Sequence, residues 1–388
     1  MPDQPHAIII GAGFTGCATA HDLTLRGFKV TVLERGEIAS GTSGRTHGLL
    51  HSGARYCVSE AEAGIECIDE NIFLRKIAKQ CIEFNGGLFV ALNEADVAYA
   101  PRFIEGAHAC HIPVEELTGK AALRLEPNLN PKVLLAYLVP DGVFDPLRLA
   151  LAFAASAKQR GAQFWPYHQV KGLVIDGQKQ VRGVRVWDRT SGKEFEVRGD
   201  MLVNATGVWA GEIAAMGNTS VPLKQTPGVM VAFDQRATQR VINRLNEPGD
   251  GDIIIPQRRM AVIGTTSFEA TDVDYIPVLK EQVRQMNTEA FELLPILRQA
   301  HMRGAYMSAR PLIDSSEEGR SLSRTFKCYD HQEISGLGGF VTITGGKATT
   351  CRGMAEKTAD LVCQKLGVRA ECQTRDVVLS SYRDYYQN

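Results

Sequence analysis

Short apolar runs alternate along this chain with stretches in which apolar residues recur at helical spacing. His6–Ile10 reads as a buried strand, Thr15–Arg26 as a helix and Lys29–Leu33 as the next strand. Glu66–Cys81 reads as a second helix, with Ile68, Ile72, Leu74, Ile77 and Ala78 near one face. A third, Leu147–Arg160, is entered through Asp145–Pro146, with proline in the early helical position it tolerates. Val170–Ile175, Val181–Asp188 and Lys193–Val197 are short strands joined by turn-forming residues, the pattern of a β-meander. Met201–Ala205 is a further apolar strand. Residues 278–300 have the spacing of a long amphipathic helix that Pro295 should bend or end. Ile343 is followed by Gly345–Gly346 and a helical run to Leu366. Strands alternating with helices indicate the α/β class. There is no internal repeat and no low-complexity linker, so elements of one domain are expected to interleave with those of another.

Composition narrows the class. With 388 residues, and roughly 150 residues per domain, two or three structural units are expected. The 44% hydrophobic and 22% charged content excludes a disordered or fibrous chain. No apolar run approaches the ~20 residues that span a bilayer. The N-terminus enters a strand directly, so no secretory signal is expected. Lys and Arg number 43 against 44 Asp and Glu, and a net charge of -1 gives no reason to expect nucleic acid as a partner. The 9 cysteines are scattered without any C-x-x-C pair. That argues against a zinc ribbon, a thioredoxin-type site or an iron–sulfur centre, so no metal is expected, and it fits a reducing, cytoplasmic compartment.

The first chemistry lies in Gly11-Ala12-Gly13-Phe14-Thr15-Gly16, which follows a strand and opens a helix. Gly11 permits a tight turn, Gly13 lets the backbone approach a pyrophosphate, and Gly16 lets helix and strand pack closely. The helix N-terminus adds N–H donors and a partial positive charge. Glu34 ends the second strand, where a carboxylate can accept hydrogen bonds from an adenosine ribose and would repel a 2′-phosphate. The motif leaves NAD and FAD open. A nicotinamide-dependent enzyme would continue with another β–α unit; here a segment rich in Gly, Ser and Thr runs from Ser40 to Tyr56. It reads as a loop and short helix along an extended cofactor. The strand ending in Asn204-Ala205-Thr206-Gly207 again places small residues where backbone passes close to a ligand.

Together with Thr46–Tyr56, Val139–Gly142, Asp145–Pro146, Ile263–Thr266, Ala309–Pro311 and Ile343–Lys347, these pieces resemble the D-amino-acid-oxidase-like FAD-dependent oxidoreductases. Within them they resemble the FAD-dependent glycerol-3-phosphate dehydrogenases, especially the catalytic chain of the anaerobic bacterial enzyme. The resemblance runs in order from residue 6 to about residue 366. It implies a Rossmann-like FAD-binding domain of the glutathione-reductase-2 type with an interleaved α+β substrate-binding cap. The expected FAD-binding parts are 1–85, 145–220 and 305–388, and the expected cap parts are 86–144 and 221–304. It also implies oxidation of a phosphorylated polyol by hydride transfer to flavin N5, with sn-glycerol 3-phosphate becoming dihydroxyacetone phosphate. A tetritol phosphate, or a 2-hydroxy acid or amino acid, stays open as the substrate.

On the resemblance, His51 is the general base, since imidazole titrates near neutral pH, and His47 belongs to the flavin's surroundings. Arg55, Tyr56 and Arg310 bind the phosphate or polarise the reacting oxygen, as planar donors suit a phosphomonoester. Arg310 and Lys347 are also expected to act in catalysis. The cofactor would be lined by Gly11, Ala12, Gly13, Thr15, Gly16, Glu34, Arg35, Thr42, Ser43, His47, Gly48 and Leu49. Further on it would meet Val170, Ala205, Thr206, Gly207, Trp209, Gly345, Gly346, Lys347, Ala348 and Thr349. The helix after Gly345–Gly346 is expected to aim its N-terminal dipole, with Lys347, at the flavin pyrimidine ring, where negative charge develops on reduction. Cys17 and Cys351 read as packing residues, and the 278–300 helix as a solvated part of the cap.

The catalytic chains of the anaerobic enzymes carry a further C-terminal region with cysteine clusters suited to an iron–sulfur centre, and this chain stops about one helix after Lys347. Electrons are therefore expected to leave the flavin without a cluster on this chain. A quinone, a carrier protein or oxygen remains open as acceptor, and so do partner subunits or peripheral contact with the inner face of the cell membrane. A natural short form and a truncated one are equally compatible with this ending.

Overall fold

The computed structural model describes residues 4–268, 272–314 and 323–387. Its first sheet has six strands in the order Phe326–Asp330, Phe340–Gly345, Met201–Asn204, His6–Ile10, Lys29–Leu33 and Gln163–Trp165. All neighbours are parallel except the first pair, which is antiparallel. Successive residues of a strand point to opposite faces. Ala7 and Ile9 accordingly pack under the helices Phe14–Leu25, Pro146–Lys158 and Cys351–Leu366, while Ile8 and Ile10 pack under the meander. That meander is formed by His168–Ile175, Val181–Asp188 and Glu194–Arg198. Both faces are covered, which is why these strands are apolar throughout.

A second, eight-stranded sheet runs Met302–Ile313, Leu223–Phe233, Met260–Gly264, Ile253–Gln257, Val241–Arg244, Gly87–Ala91, Leu135–Val139 and Glu115–Thr118. Helix Lys280–Leu293 buries Met286, Ala290 and Leu293 on one face. Helix Glu94–Ala109 buries Phe103 and Ala107 against Phe89 and Tyr137 on the other. The strand Met302–Ile313 runs across the expected boundary at 304/305. It pairs along Leu223–Phe233, so the residues just after 304 belong to this second sheet. A small sheet of Leu49–Leu50, Gly142–Phe144 and Ile82–Glu83 lies where the chain passes between the two.

Three helices differ from the sequence reading. The second runs Ala61–Ile77, earlier than expected, and Ile72 lies on its solvent stripe with Asp69 and Lys76. Apolar periodicity misplaced it because two buried positions, Glu70 and Asn71, are polar and hydrogen-bonded. The 278–300 segment splits into Lys280–Leu293 and the short 3₁₀ turn Pro295–Gln299, as a proline without N–H requires. The last helix begins at Cys351 rather than directly after Gly346. Lys347–Thr350 form a turn, in which Lys347 N–H donates to Thr350 Oγ1 at 3.0 Å.

One buried ion cluster ties the helices together. Arg352 donates from Nε to Glu70 Oε2 at 2.8 Å, with a second short bond to Oε1, and to Glu356 at 2.7 Å and Thr374 at 3.1 Å. Its side chain is 2% exposed. Removing one member of such a group strands the others in low dielectric, so Arg352→Ala should cost about 3–5 kcal/mol in urea unfolding. Arg375→Ala, which strips a half-exposed partner of Glu356, should cost under about 1 kcal/mol. Equal losses would contradict this ranking.

Candidate active site

The glycine turn is built by backbone crowding. Gly11 has φ +99°, and a Cβ there would stand 2.7 Å from the Ala205 carbonyl oxygen. At Gly16 it would meet the Gly11 carbonyl oxygen at 1.9 Å, so this glycine is required for packing and lies behind the cavity wall. Gly13 opens to the cavity, where only Ser43 Oγ stands within 3 Å of a built Cβ. Glu34 accepts the Ala12 N–H at 2.9 Å and the Gly36 N–H at 2.8 Å, and Ser43 Oγ accepts the Phe14 N–H at 2.9 Å. Thr42, in the 3₁₀ turn Thr42–Arg45, donates to the Ala309 carbonyl at 2.8 Å. Arg35 stacks 4.1 Å above Trp209, and both bond to Asp274.

These groups line one cavity of about 700 Å³. Of the expected cofactor positions, Gly11, Gly13, Thr15, Glu34, Arg35, Thr42, Ser43, His47, Leu49, Val170, Ala205, Thr206, Gly207 and Trp209 face it, as do Gly345, Gly346, Lys347 and Ala348. Ala12, Gly16, Gly48 and Thr349 do not reach it and act from behind the wall. Gly48 (φ +81°) leaves room for Gln257, which donates to the carbonyls of His47 and Phe144. Thr349 Oγ1 accepts the His51 N–H at 3.1 Å. Carboxylate, glycine turn and helix N-terminus succeed one another along the lining, a donor and acceptor set that fits ribose, pyrophosphate and a flanking ring system.

His51, Arg55, Tyr56, Arg310 and Lys347 line the same cavity. The His51 carbonyl accepts from Asn71 Nδ2 at 3.0 Å, and the Ser52 N–H donates to Asp141 Oδ1 at 2.7 Å. The His51 ring lies 5.3 Å from Tyr56 and 6.2 Å from His47. His47 Nδ1 accepts the Leu49 N–H at 3.1 Å, which leaves the neutral ring's proton on Nε2. Burial, then the neighbouring His47, Lys347 and Arg55, hold His51 well below the usual imidazole range. Burial, then Arg55 and Arg310, lower His47 to about 4.

The cations are held in different ways. Arg310 donates to the Thr266 carbonyl at 2.8 Å and to Thr226 at 3.4 Å, and burial, then Arg324, lowers it to about 10. Arg55 pairs with Asp252 at 2.6 Å. Lys347, expected at the flavin pyrimidine or the substrate, sits 4.4 Å above the Tyr56 ring and donates to the Arg324 carbonyl at 2.9 Å. The helix dipole expected beside it starts further on, at Thr350.

Arg324, Asp252, Asn71 and Asp141 were not singled out from sequence. Arg324 and Asp252 fall in no motif. Asn71 carried a signal, a polar residue on a buried helical stripe, and Asp141 lies inside a motif with no role attached to it. Cys17 and Cys351 are buried, as expected of packing residues, and burial pushes both thiols up. Among the described residues, no His, Cys, Asp and Glu cluster suits a metal ion and no helix is long and apolar enough to cross a membrane.

Comparison with known proteins gives a family. A family model described as FAD dependent oxidoreductase matches residues 6–361. The chain is 39% identical to the A1 chain of the anaerobic glycerol-3-phosphate dehydrogenase of Haloferax volcanii, covering 99% of this chain and 68% of that protein. It is 41% identical to the corresponding A chain of the Escherichia coli enzyme, covering 96% and 69%. Among solved structures it is similar to the glycerol-3-phosphate dehydrogenase of Bacillus halodurans complexed with FAD, at TM-score 0.76 and 25% identity, covering 98% of this chain and 68% of that one.

A pH prediction follows from the two histidines. The unfolded chain binds their protons near the ordinary value of 6.5, and the folded protein does not bind the one on His47 until about 4. Stability must therefore fall as pH drops from 6.5 toward 4. His47→Gln should flatten this fall in urea midpoints measured between pH 7.5 and 4.5 (a window set by those values). Parallel profiles for the two proteins would contradict it.

Proposed function

The chain belongs to the FAD-dependent oxidoreductase family, and on that premise we propose that it oxidises a phosphorylated polyol, sn-glycerol 3-phosphate, to dihydroxyacetone phosphate. The observation that carries this reading is the convergence of Arg55, Arg310, Arg324 and Lys347 around Tyr56 and His51 at one cavity. A phosphomonoester brings nearly two negative charges, and guanidinium groups bind its oxygens through paired donors. Arg310 suits this role because, among the described residues, its hydrogen-bond partners are carbonyl oxygens and a carboxylate, Asp250, acts on it only from a distance.

When bound in this cavity, FAD would supply the acceptor for the hydride leaving the substrate carbon. His51 takes the hydroxyl proton, and its surroundings keep the imidazole neutral and so able to accept it. Its backbone is fixed at both N–H and C=O, which anchors the point from which the side chain reaches the cavity. Glu34 would receive the ribose hydroxyls and the turn at Gly11 and Gly13 the pyrophosphate, while Gly345–Ala348 and Leu49 would border the flavin ring. The parts 86–144 and 221–304, extended through Met302–Ile313, would form the substrate side.

The deciding experiment is anaerobic flavin reduction by glycerol 3-phosphate, a tetritol phosphate and 2-hydroxyglutarate. Glycerol 3-phosphate should reduce fastest; faster bleaching by 2-hydroxyglutarate would sink the proposal. His51→Ala should slow the limiting rate by about 10²–10⁴-fold. Arg310→Ala should raise the half-saturating concentration and slow reduction. Because His51 is depressed, the wild-type rate should hold level down to pH 6.5 and drop only below it. A half-drop at or above pH 6.5 would remove His51 as the base.

A further inference from the structure

Arg55 is fixed at the cavity by a turn of the second sheet. Its Nη2 donates to Asp252 Oδ1 at 2.6 Å and to the Gly249 carbonyl at 2.9 Å. The pair is buried, with side-chain exposures of 12% and 3%. Both bonds use one nitrogen, so among the described residues the N–H groups of Nε and Nη1 are left to receive an anion. Asp252 is itself anchored. Its second oxygen accepts the Gly249 N–H at 2.7 Å, and its carbonyl accepts the Arg244 N–H at 3.0 Å. The turn connects strands Val241–Arg244 and Ile253–Gln257 and is pressed on helix Lys280–Leu293. Gly251 has φ +76°, and a Cβ there would stand 2.9 Å from Met286 Cα. The arginine's own loop is equally confined, since a Cβ at Gly53 would meet the Gly64 carbonyl oxygen at 2.2 Å.

We propose that Asp252, acting with the Gly249 carbonyl, is the positioning residue that orients Arg55 for the anionic end of the substrate. The inference rests on the polyol-phosphate reading above. Asp252 does not line the cavity. It acts through Arg55, so its loss should weaken substrate capture far more than the chemical step. A merely structural ion pair would instead lower stability and leave the ratio of the two effects undefined.

The test uses the FAD-loaded protein and rapid anaerobic reduction by glycerol 3-phosphate. Asp252→Asn should raise the half-saturating concentration about tenfold and change the limiting rate much less. Arg55→Ala should do the same, and the double variant should be no worse than Arg55→Ala, because the two residues form one unit. Gly251→Ala, which shifts the turn without altering a charge, should move the constants in the same direction and serves if Asp252→Asn does not fold. A separate readout is the rise in Tm on adding inorganic phosphate, expected in wild type and shifted to about tenfold higher phosphate in Asp252→Asn. If Asp252→Asn slows only the limiting rate, adds its full effect to Arg55→Ala, or keeps the wild-type phosphate dependence of Tm, the clamp is overturned. If wild type shows the phosphate-dependent rise but glycerol 3-phosphate does not reduce its flavin, the substrate reading fails while the clamp stands.

Discussion

The site depends on how the backbone is held at His51. Its N–H is taken by Thr349, its C=O by Asn71, and the next N–H by Asp141. Each grip comes from a different part of the chain: the turn before the last helix, the helix Ala61–Ile77, and the link between strands Leu135–Val139 and Gly142–Phe144. Arg75 closes this set by donating to Asn71 and to the carbonyls of Pro140 and Asp141. Buried polar groups are costly unless each is paired, and a network that pairs them all accepts one arrangement. His51 is therefore positioned only when both sheets are assembled around it.

The same enclosure shapes the electrostatics. Arg55, Arg310, Arg324 and Lys347 share one cavity, and an anion entering it is the natural partner for such a group of cations. Their field also disfavours a proton on His47 and His51. Anion capture and a neutral base are thus two results of one charge distribution. The paired cation, Arg55, offers geometry, and Arg310, bonded among the described residues to carbonyl oxygens, offers a charge not tied up in an ion pair.

Much of the frame was legible because it rests on local periodicity. The first strand, the helix Pro146–Lys158 and the meander follow from apolar spacing and from turn or cap residues such as Asp145, which accepts the Arg148 N–H. The glycine turn was legible because steric demands there leave no other residue. What escaped was non-local. Glu70 and Asn71 disguised a buried helical face, since their partners are far away in sequence. Arg324 lines the cavity and Asp252 reaches it through Arg55, both by contacts with residues far away in sequence, and no spacing rule brings them there. Ile72 was misjudged for the converse reason, an apolar residue on the solvent stripe, and the start of the last helix because the Thr350 side chain takes the Lys347 N–H in a turn.

The bond between His51 and Thr349 spans 298 residues of chain. The central strand His6–Ile10 similarly waits for Met201–Asn204 before it has a neighbour on that side. Contacts of such separation pay loop-closure entropy before they return any stability, and they form late. During synthesis the glycine turn and Glu34 emerge first, but the wall at Ala205 and the strand Phe340–Gly345 come later, and the histidine is fixed only once Thr349 has been made. Nucleotide cradle and reactive centre thus both wait for the C-terminal part of the chain, an order of assembly that completes the two together.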